Sequence, residues 1–171
     1  MSNPIILVTG AAGFIGARFV ERLNQGHFQV VSVDRAPYFQ DRKEHTAVPY
    51  GEIVDRAKLF DWLDQKDRNL RAVVHLGACS DTSETDQDYL RKTNLEYSQR
   101  LWNYCSRNNV QLIYASSGAT YGSGEQGYSD NESKISELKP LNLYGQSKQD
   151  FDIWALREEK KGNTPPLWTG F

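Results

Sequence analysis

The 171 residues carry 20 Lys and Arg against 22 Asp and Glu, a formal net charge of −2, with 39% hydrophobic and 25% charged residues. That is the length and balance of one soluble domain with a real core. It argues against a nucleic-acid surface, and no stretch approaches the ~20 apolar residues that span a bilayer. The N-terminal run MSNPIILVTGAAGFIG lacks the basic leader of a signal peptide. Cys79 and Cys105 stand in no metal-ligand spacing and read as free thiols of a reducing, cytoplasmic compartment.

In chain order, IILVT (residues 5–9) is a continuous apolar run suited to a strand buried on both faces. Ile15, Phe19 and Leu23 recur at spacing four and predict a helix that Gly26 terminates. VVSVD (30–34) predicts a second strand ending in an acid, and residues 35–50 read as polar and irregular. A short strand is expected at 50–53, followed by a helix capped by Asp55 with Leu59, Phe60 and Leu63 as its apolar stripe. AVVHL (72–76) is the next strand. A long helix over about 86–107 should bury Leu90, Tyr97, Leu101 and Cys105, and VQLIYA (110–115) is a further strand. A Gly/Ser-rich loop (116–127) and a polar segment lead to the helix of LYGQSK, and PPLWTGF supplies a last strand. Strands alternating with helices predict an α/β fold with a parallel, doubly wound sheet.

Chemistry enters with the glycines. Gly10, Gly13 and Gly16 in TGAAGFIG follow the first strand and open the first helix. Missing side chains let backbone approach a pyrophosphate, and the N–H groups at a helix start receive its charge. Asp34, 18 residues after Gly16, stands where an acid accepts hydrogen bonds from the adenosine ribose. Together they predict a dinucleotide site. Asp34 by itself favours NAD; Arg35 beside it, helped by Arg42 and Lys43, could pair with a 2′-phosphate, so NADP is the expected cofactor and NAD the alternative.

Ser116 and Ser117 end the strand YASS, and Tyr144 and Lys148 share one face of the next helix at spacing four. A phenol titrates near pH ~10 in isolation, and a neighbouring cation lowers that value. Tyr144 is thus suited to proton exchange with a substrate hydroxyl, Lys148 to supplying the charge, and Ser117 to orienting the substrate oxygen. His27 and His45 read as surface or loop residues, His75 as a strand residue, the four tryptophans as packing residues, and REEKK (157–161) as a solvated helix end.

TGAAGFIG, Asp34, VVHLGA, TNLEYS, YASSGATYG and YGQSK run in order over the chain. In this it resembles the extended short-chain dehydrogenase/reductase superfamily. Within that superfamily it is most similar to the ADP-L-glycero-D-manno-heptose 6-epimerase family, through HLGACSDTSETD, LYGQSK and YASSGATYG. The resemblance implies a Rossmann domain over 1–171 and a catalytic set of Ser117, Tyr144 and Lys148. It implies Asn94 near the nicotinamide, with Phe14, Ile15 and the segment Leu76, Gly77, Ala78, Cys79 and Ser80 against the cofactor. It further implies transient oxidation and reduction at C6″ of an ADP-heptose, in lipopolysaccharide biosynthesis, by a homo-oligomer. Gly118–Ala119 stand where related dehydratases carry an Asp-Glu pair, which disfavours water elimination. The family continues past Phe171 into a smaller substrate-binding domain with a second acid–base lysine. The 171 residues are therefore read as the cofactor-binding part of a longer parent and as inactive in epimerisation alone. Another sugar-nucleotide epimerase or reductase, or a non-catalytic cofactor-binding fragment, are the alternatives.

Overall fold

A computed structural model describes residues 3–42, 45, 47–65 and 69–170. Lys43 and Phe171, both invoked above, lie outside them. Six strands form one sheet: β1 (Ile5–Thr9), β2 (Gln29–Asp34), β3 (Glu52–Asp55), β4 (Leu70–His75), β5 (Gln111–Tyr114) and β6 (Trp168–Gly170), in the order β3-β2-β1-β4-β5-β6. β1 pairs in parallel with β2 and with β4, and β2 with β3. This is the Rossmann-type, doubly wound order, whose direction of winding reverses between β1 and β4.

The chain divides into two compact units. The first is Met1–Gly77 with Val110–Ile113. Its strand residues are apolar on both faces: Leu7, Val8, Val31, Val33 and Val73 are fully buried, as central parallel strands require. α1 (Phe14–Gln25) lays Ala17 and Val20 on Ile6, Val8, Val30 and Val74. Residues 35–50 are less irregular than their polarity implies. A single turn, α2 (Tyr38–Asp41), sends Phe39 into the same core with Val48 and Tyr50, the two rings meeting edge-on at 4.8 Å. Burying three such side chains is worth roughly 1.5–3 kcal/mol each, enough to order a segment whose sequence shows no period. His45 is likewise no surface residue; it is buried beside Phe14, with ring centroids 6.4 Å apart.

Other boundaries differ in detail. The left-handed residue after α1 is His27 (φ 58), and Gly26 has φ −86. The third strand begins at Glu52 and leaves Ile53 half exposed. Asp55 does cap, but a short 3₁₀ turn, Arg56–Lys58, accepting the Ala57 N–H at 2.8 Å. The stripe of α3 (Leu59–Leu63) then uses Trp62 in place of Phe60, because the 3₁₀ entry rotates the helix.

The second unit is Ala78–Asn109 with Tyr114–Phe171. Its long helix is α4 (Gln87–Leu90), a π-helical stretch (Arg91–Glu96) and α5 (Tyr97–Arg107). The wider π turn shifts the buried stripe, which runs Leu90, Asn94, Ser98, Leu101, Trp102 and Cys105 and leaves Tyr97 half-buried. α6 (Leu143–Lys160) packs Phe151 and Trp154 around Trp102, which also meets Trp168 at 4.8 Å.

Candidate cofactor and acid–base sites

In the first unit, the loops after β1 and β4 touch. Gly10 takes φ +69, and a Cβ there would lie 2.7 Å from the Gly77 amide nitrogen. A Cβ on Gly16 would run into the Gly10 carbonyl and lie 2.8 Å from the Ala11 Cα. These glycines therefore close the loop against its own backbone. Gly13 occupies the N-cap of α1, whose first turn has neither a side-chain cap nor an acid. Its N–H groups are left for an anion.

Asp34 is tied into this loop. One carboxylate oxygen accepts the Ala12 N–H at 3.0 Å and the other the Arg35 N–H at 2.8 Å. The Arg42 guanidinium donates to the Ala12 carbonyl at 2.8 Å and stacks 4.4 Å over the Tyr38 ring. Arg35 donates to the Tyr38 hydroxyl at 2.9 Å. Two guanidinium groups thus share one aromatic ring beside the acid that ends β2. The predicted glycines, Asp34, Arg35, Leu76 and Gly77 all belong to this unit, and Phe14 and Ile15 stand exposed on the first turn of α1 at 74% and 61%. The residues present fit a dinucleotide: a cradle that side chains would fill, an uncapped helix start and an acid at the end of the second strand.

The second unit holds the residues predicted for acid–base chemistry. Asn142 caps α6 by accepting the Gly145 N–H at 2.8 Å, which fixes where the helix starts and sets Tyr144 in its first turn. Lys148 follows one turn later on the same face and is buried. Burial pushes its ammonium down to about 8, against an opposing pull from Asp152. Ser117 sits at the N-cap of a 3₁₀ turn (Gly118–Tyr121), its Oγ accepting the Ala119 N–H at 3.1 Å while the O–H remains a donor. Tyr144 is half-buried.

Ala78, Cys79 and Ser80 also fall in this unit. Asn94 is 1% exposed, and its amide grips the Cys79 peptide: Oδ1 accepts the Cys79 N–H at 2.8 Å, and Nδ2 donates to the Cys79 carbonyl at 3.0 Å. Nδ2 also donates to Ser147 Oγ at 2.9 Å, and Ser147 donates on to the Tyr144 carbonyl at 2.7 Å. Asn94 thus links the 79–80 segment to the helix turn of Tyr144.

One residue of this unit escaped the sequence reading. Asp152, buried one turn beyond Lys148, accepts the Tyr114 hydroxyl at 2.8 Å and the Ser116 hydroxyl. Its signal was the spacing Y-x-x-x-K-x-x-x-D, which sets all three side chains along one side of a helix. Asp152 borders a cavity of about 460 Å³, lined also by Tyr114, Ser116, Ser117, Thr120 and Trp168. Among the described residues no group of three or more His, Cys, Asp or Glu could hold a metal ion, and no helix is long and apolar enough to cross a membrane.

Comparison with known proteins gives this geometry its context. The ADP-L-glycero-D-manno-heptose-6-epimerase of Fusobacterium nucleatum is 43% identical over 175 residues, covering 97% of this chain and 51% of that protein. The crystal structure of the Helicobacter pylori enzyme of the same name superposes with a TM-score of 0.77 at 26% identity, covering 98% of this chain and 54% of that one. MoeE5, solved in complex with UDP-glucose and NAD, gives a TM-score of 0.71 at 29% identity, covering 96% and 52%. The chain spans about half the length of the curated relatives it matches. Residues 6–169 match the NAD dependent epimerase/dehydratase family, and with the Rossmann strand order, the glycine loop and the Tyr144–Lys148 helix in place, the chain belongs to that family.

Proposed function

We propose that this chain is the cofactor-binding and acid–base part of an ADP-L-glycero-D-manno-heptose 6-epimerase. The observation that carries the reading is Lys148, a buried cation one helical turn from Tyr144. The substrate class is supported by the names of the relatives in Fusobacterium and Helicobacter. In this reading Gly10, Gly13, Phe14, Ile15, Gly16 and Asp34 hold the dinucleotide, with Leu76 to Ser80 and Asn94 on its nicotinamide side. Arg35 favours NADP over NAD through the 2′-phosphate, beside an Arg42 that holds the Ala12 carbonyl. A bound nicotinamide dinucleotide supplies the hydride acceptor and donor.

The chain's own residues move the proton. Tyr144 removes it from the C6″ hydroxyl as the hydride leaves and returns it in the reverse of that step. Lys148 supplies positive charge one helical turn along α6 from the phenol. Ser117 donates its O–H to the substrate oxygen. The reading places the protein in the cytoplasm, in lipopolysaccharide assembly, as a homo-oligomer in its full-length form.

Two measurements test it. Calorimetric titration with NADP and NAD in parallel should give tighter binding of NADP; equal or tighter NAD binding removes the cofactor assignment. Incubating chain and NADP with ADP-D-glycero-D-manno-heptose and following the C6″ epimer by NMR tests turnover. Coenzyme binding without product is the outcome expected of this part by itself; failure to bind either coenzyme removes the reading.

A further inference from the structure

Asp152 has three partners inside the second unit, and none of them is accidental to the chemistry proposed above. Tyr114 closes β5, and Ser116 is the residue before Ser117; both donate hydroxyl protons to the two oxygens of the Asp152 carboxylate. Lys148, on the same side of α6, is the third, through charge. The carboxylate is 6% exposed and the ammonium 5%. A lysine this deep is driven toward its neutral form, and a neutral amine gives Tyr144 no help.

We propose that Asp152 is a positioning residue for the Ser117–Tyr144–Lys148 set: its carboxylate fixes the Ser116–Ser117 strand end against α6 and keeps the buried Lys148 cationic. The proposal rests on the acid–base reading of Tyr144 and Lys148. Tyr114 stays protonated, because burial first and then the Asp152 charge push its phenol up, so it donates to Asp152 at any physiological pH. Burial also pushes the Asp152 carboxyl up, and the hydrogen bonds from Ser116 and Tyr114 and the Lys148 charge pull it back. From the elements packed around α6, Glu132 of the 3₁₀ turn Glu132–Glu137 acts on Tyr114. The long helix contributes Arg91, Lys92 and Arg100 at the surface and Glu96 half-buried, the last paired with Arg91.

The test titrates the Lys148 side chain in the full 171-residue chain labelled with ¹³C-lysine, its signal assigned by loss in Lys148→Met. The wild-type midpoint should lie near 8. Asp152→Asn should move it down by about one pH unit or more, while Ser116→Ala, which keeps the charge, should leave it in place. An unmoved midpoint in folded Asp152→Asn overturns the proposal. Coupling between two titrating groups is reciprocal, so Lys148→Met must raise the Asp152 carboxyl titration, read by ¹³Cγ. That measurement decides the matter should Asp152→Asn not fold, and an unmoved Asp152 overturns the proposal equally. Neither readout needs turnover or coenzyme. Product formation with an unmoved Lys148 would discard Asp152 and leave the proposed function standing; a moved Lys148 with no coenzyme binding would do the reverse.

Discussion

The carboxylate of Asp34, at the end of β2, accepts the main-chain N–H of Ala12 at 3.0 Å. The acid expected to meet a ribose is therefore also a strut of the glycine loop. Its other oxygen is taken by the Arg35 N–H. Asp34→Ala should weaken NAD and NADP alike, in contrast to a residue that only reads the ribose. Leaving the Ala12 amide without its partner should also cost roughly 1–3 kcal/mol of stability. Paired calorimetric and urea-unfolding measurements check both; loss of NAD binding alone, at unchanged stability, would show that the Ala12 contact contributes nothing.

Arg35 and Arg42 divide a task. Arg42 is committed to the Ala12 carbonyl and to the Tyr38 ring, whereas Arg35 lies over the same ring at 5.0 Å and donates to the Tyr38 hydroxyl. Arg35→Ala should therefore lower NADP affinity by about 1.5–3 kcal/mol, the strength of a charge-assisted hydrogen bond, with NAD nearly unchanged. Arg42→Ala should weaken both coenzymes, since the loop carbonyl loses its donor. An NADP-to-NAD ratio unchanged by either substitution would mean that neither arginine selects.

Much of this arrangement was legible in the sequence, for a definable reason. β1, β2 and β4 are buried on both faces and so spell themselves as unbroken apolar runs, and the glycines of the first loop stand where backbone meets backbone. Tyr144 and Lys148 were legible because a helix converts a spacing of four into adjacency. The misses share the opposite cause. His45 and the Phe39–Val48–Tyr50 contribution to the core sit in a segment without period, ordered by tertiary burial alone. The π turn at Arg91–Glu96 rotates Asn94 and Ser98 inward and Tyr97 outward, which no 3.6-residue pattern anticipates. Asp152 drew no reading from the sequence, because its partners Tyr114 and Ser116 lie 38 and 36 positions away.

Asn94 offers a prediction of its own. Its side chain satisfies both polar groups of the Cys79 peptide and reaches Ser147, all inside the second unit. Asn94→Ala should destabilise the chain by about 2–4 kcal/mol, from two or more part-buried groups left unpaired. Asn94→Asp keeps the acceptor for the Cys79 N–H but sets a buried carboxylate oxygen against the Cys79 carbonyl, and should cost at least as much as alanine near neutral pH. Urea unfolding followed by tryptophan fluorescence measures the series; a cost below about 0.5 kcal/mol for alanine would mean that water replaces the amide readily.

The last prediction concerns pH and stability. Burial lowers Lys148 in the folded chain to about 8 from its ordinary 10.5. Between those two values the unfolded state binds the extra proton, so unfolding free energy rises with pH through this window. Its slope is at most about 1.4 kcal/mol per pH unit. Cys105 acts in the opposite sense: burial raises its thiol from 9.0 to about 12, so the folded state holds the proton and stability is lost as pH climbs above 9. The wild-type curve mixes the two, and Lys148→Met isolates the first, because the thiol contribution is common to both proteins. Unfolding by urea at half-unit steps from pH 7 to 10.5 should give a wild-type-minus-variant difference that grows with pH and flattens at the top of the window. A difference that stays level would mean that Lys148 keeps its ordinary titration in the fold, and that the cation beside Tyr144 needs no help from Asp152.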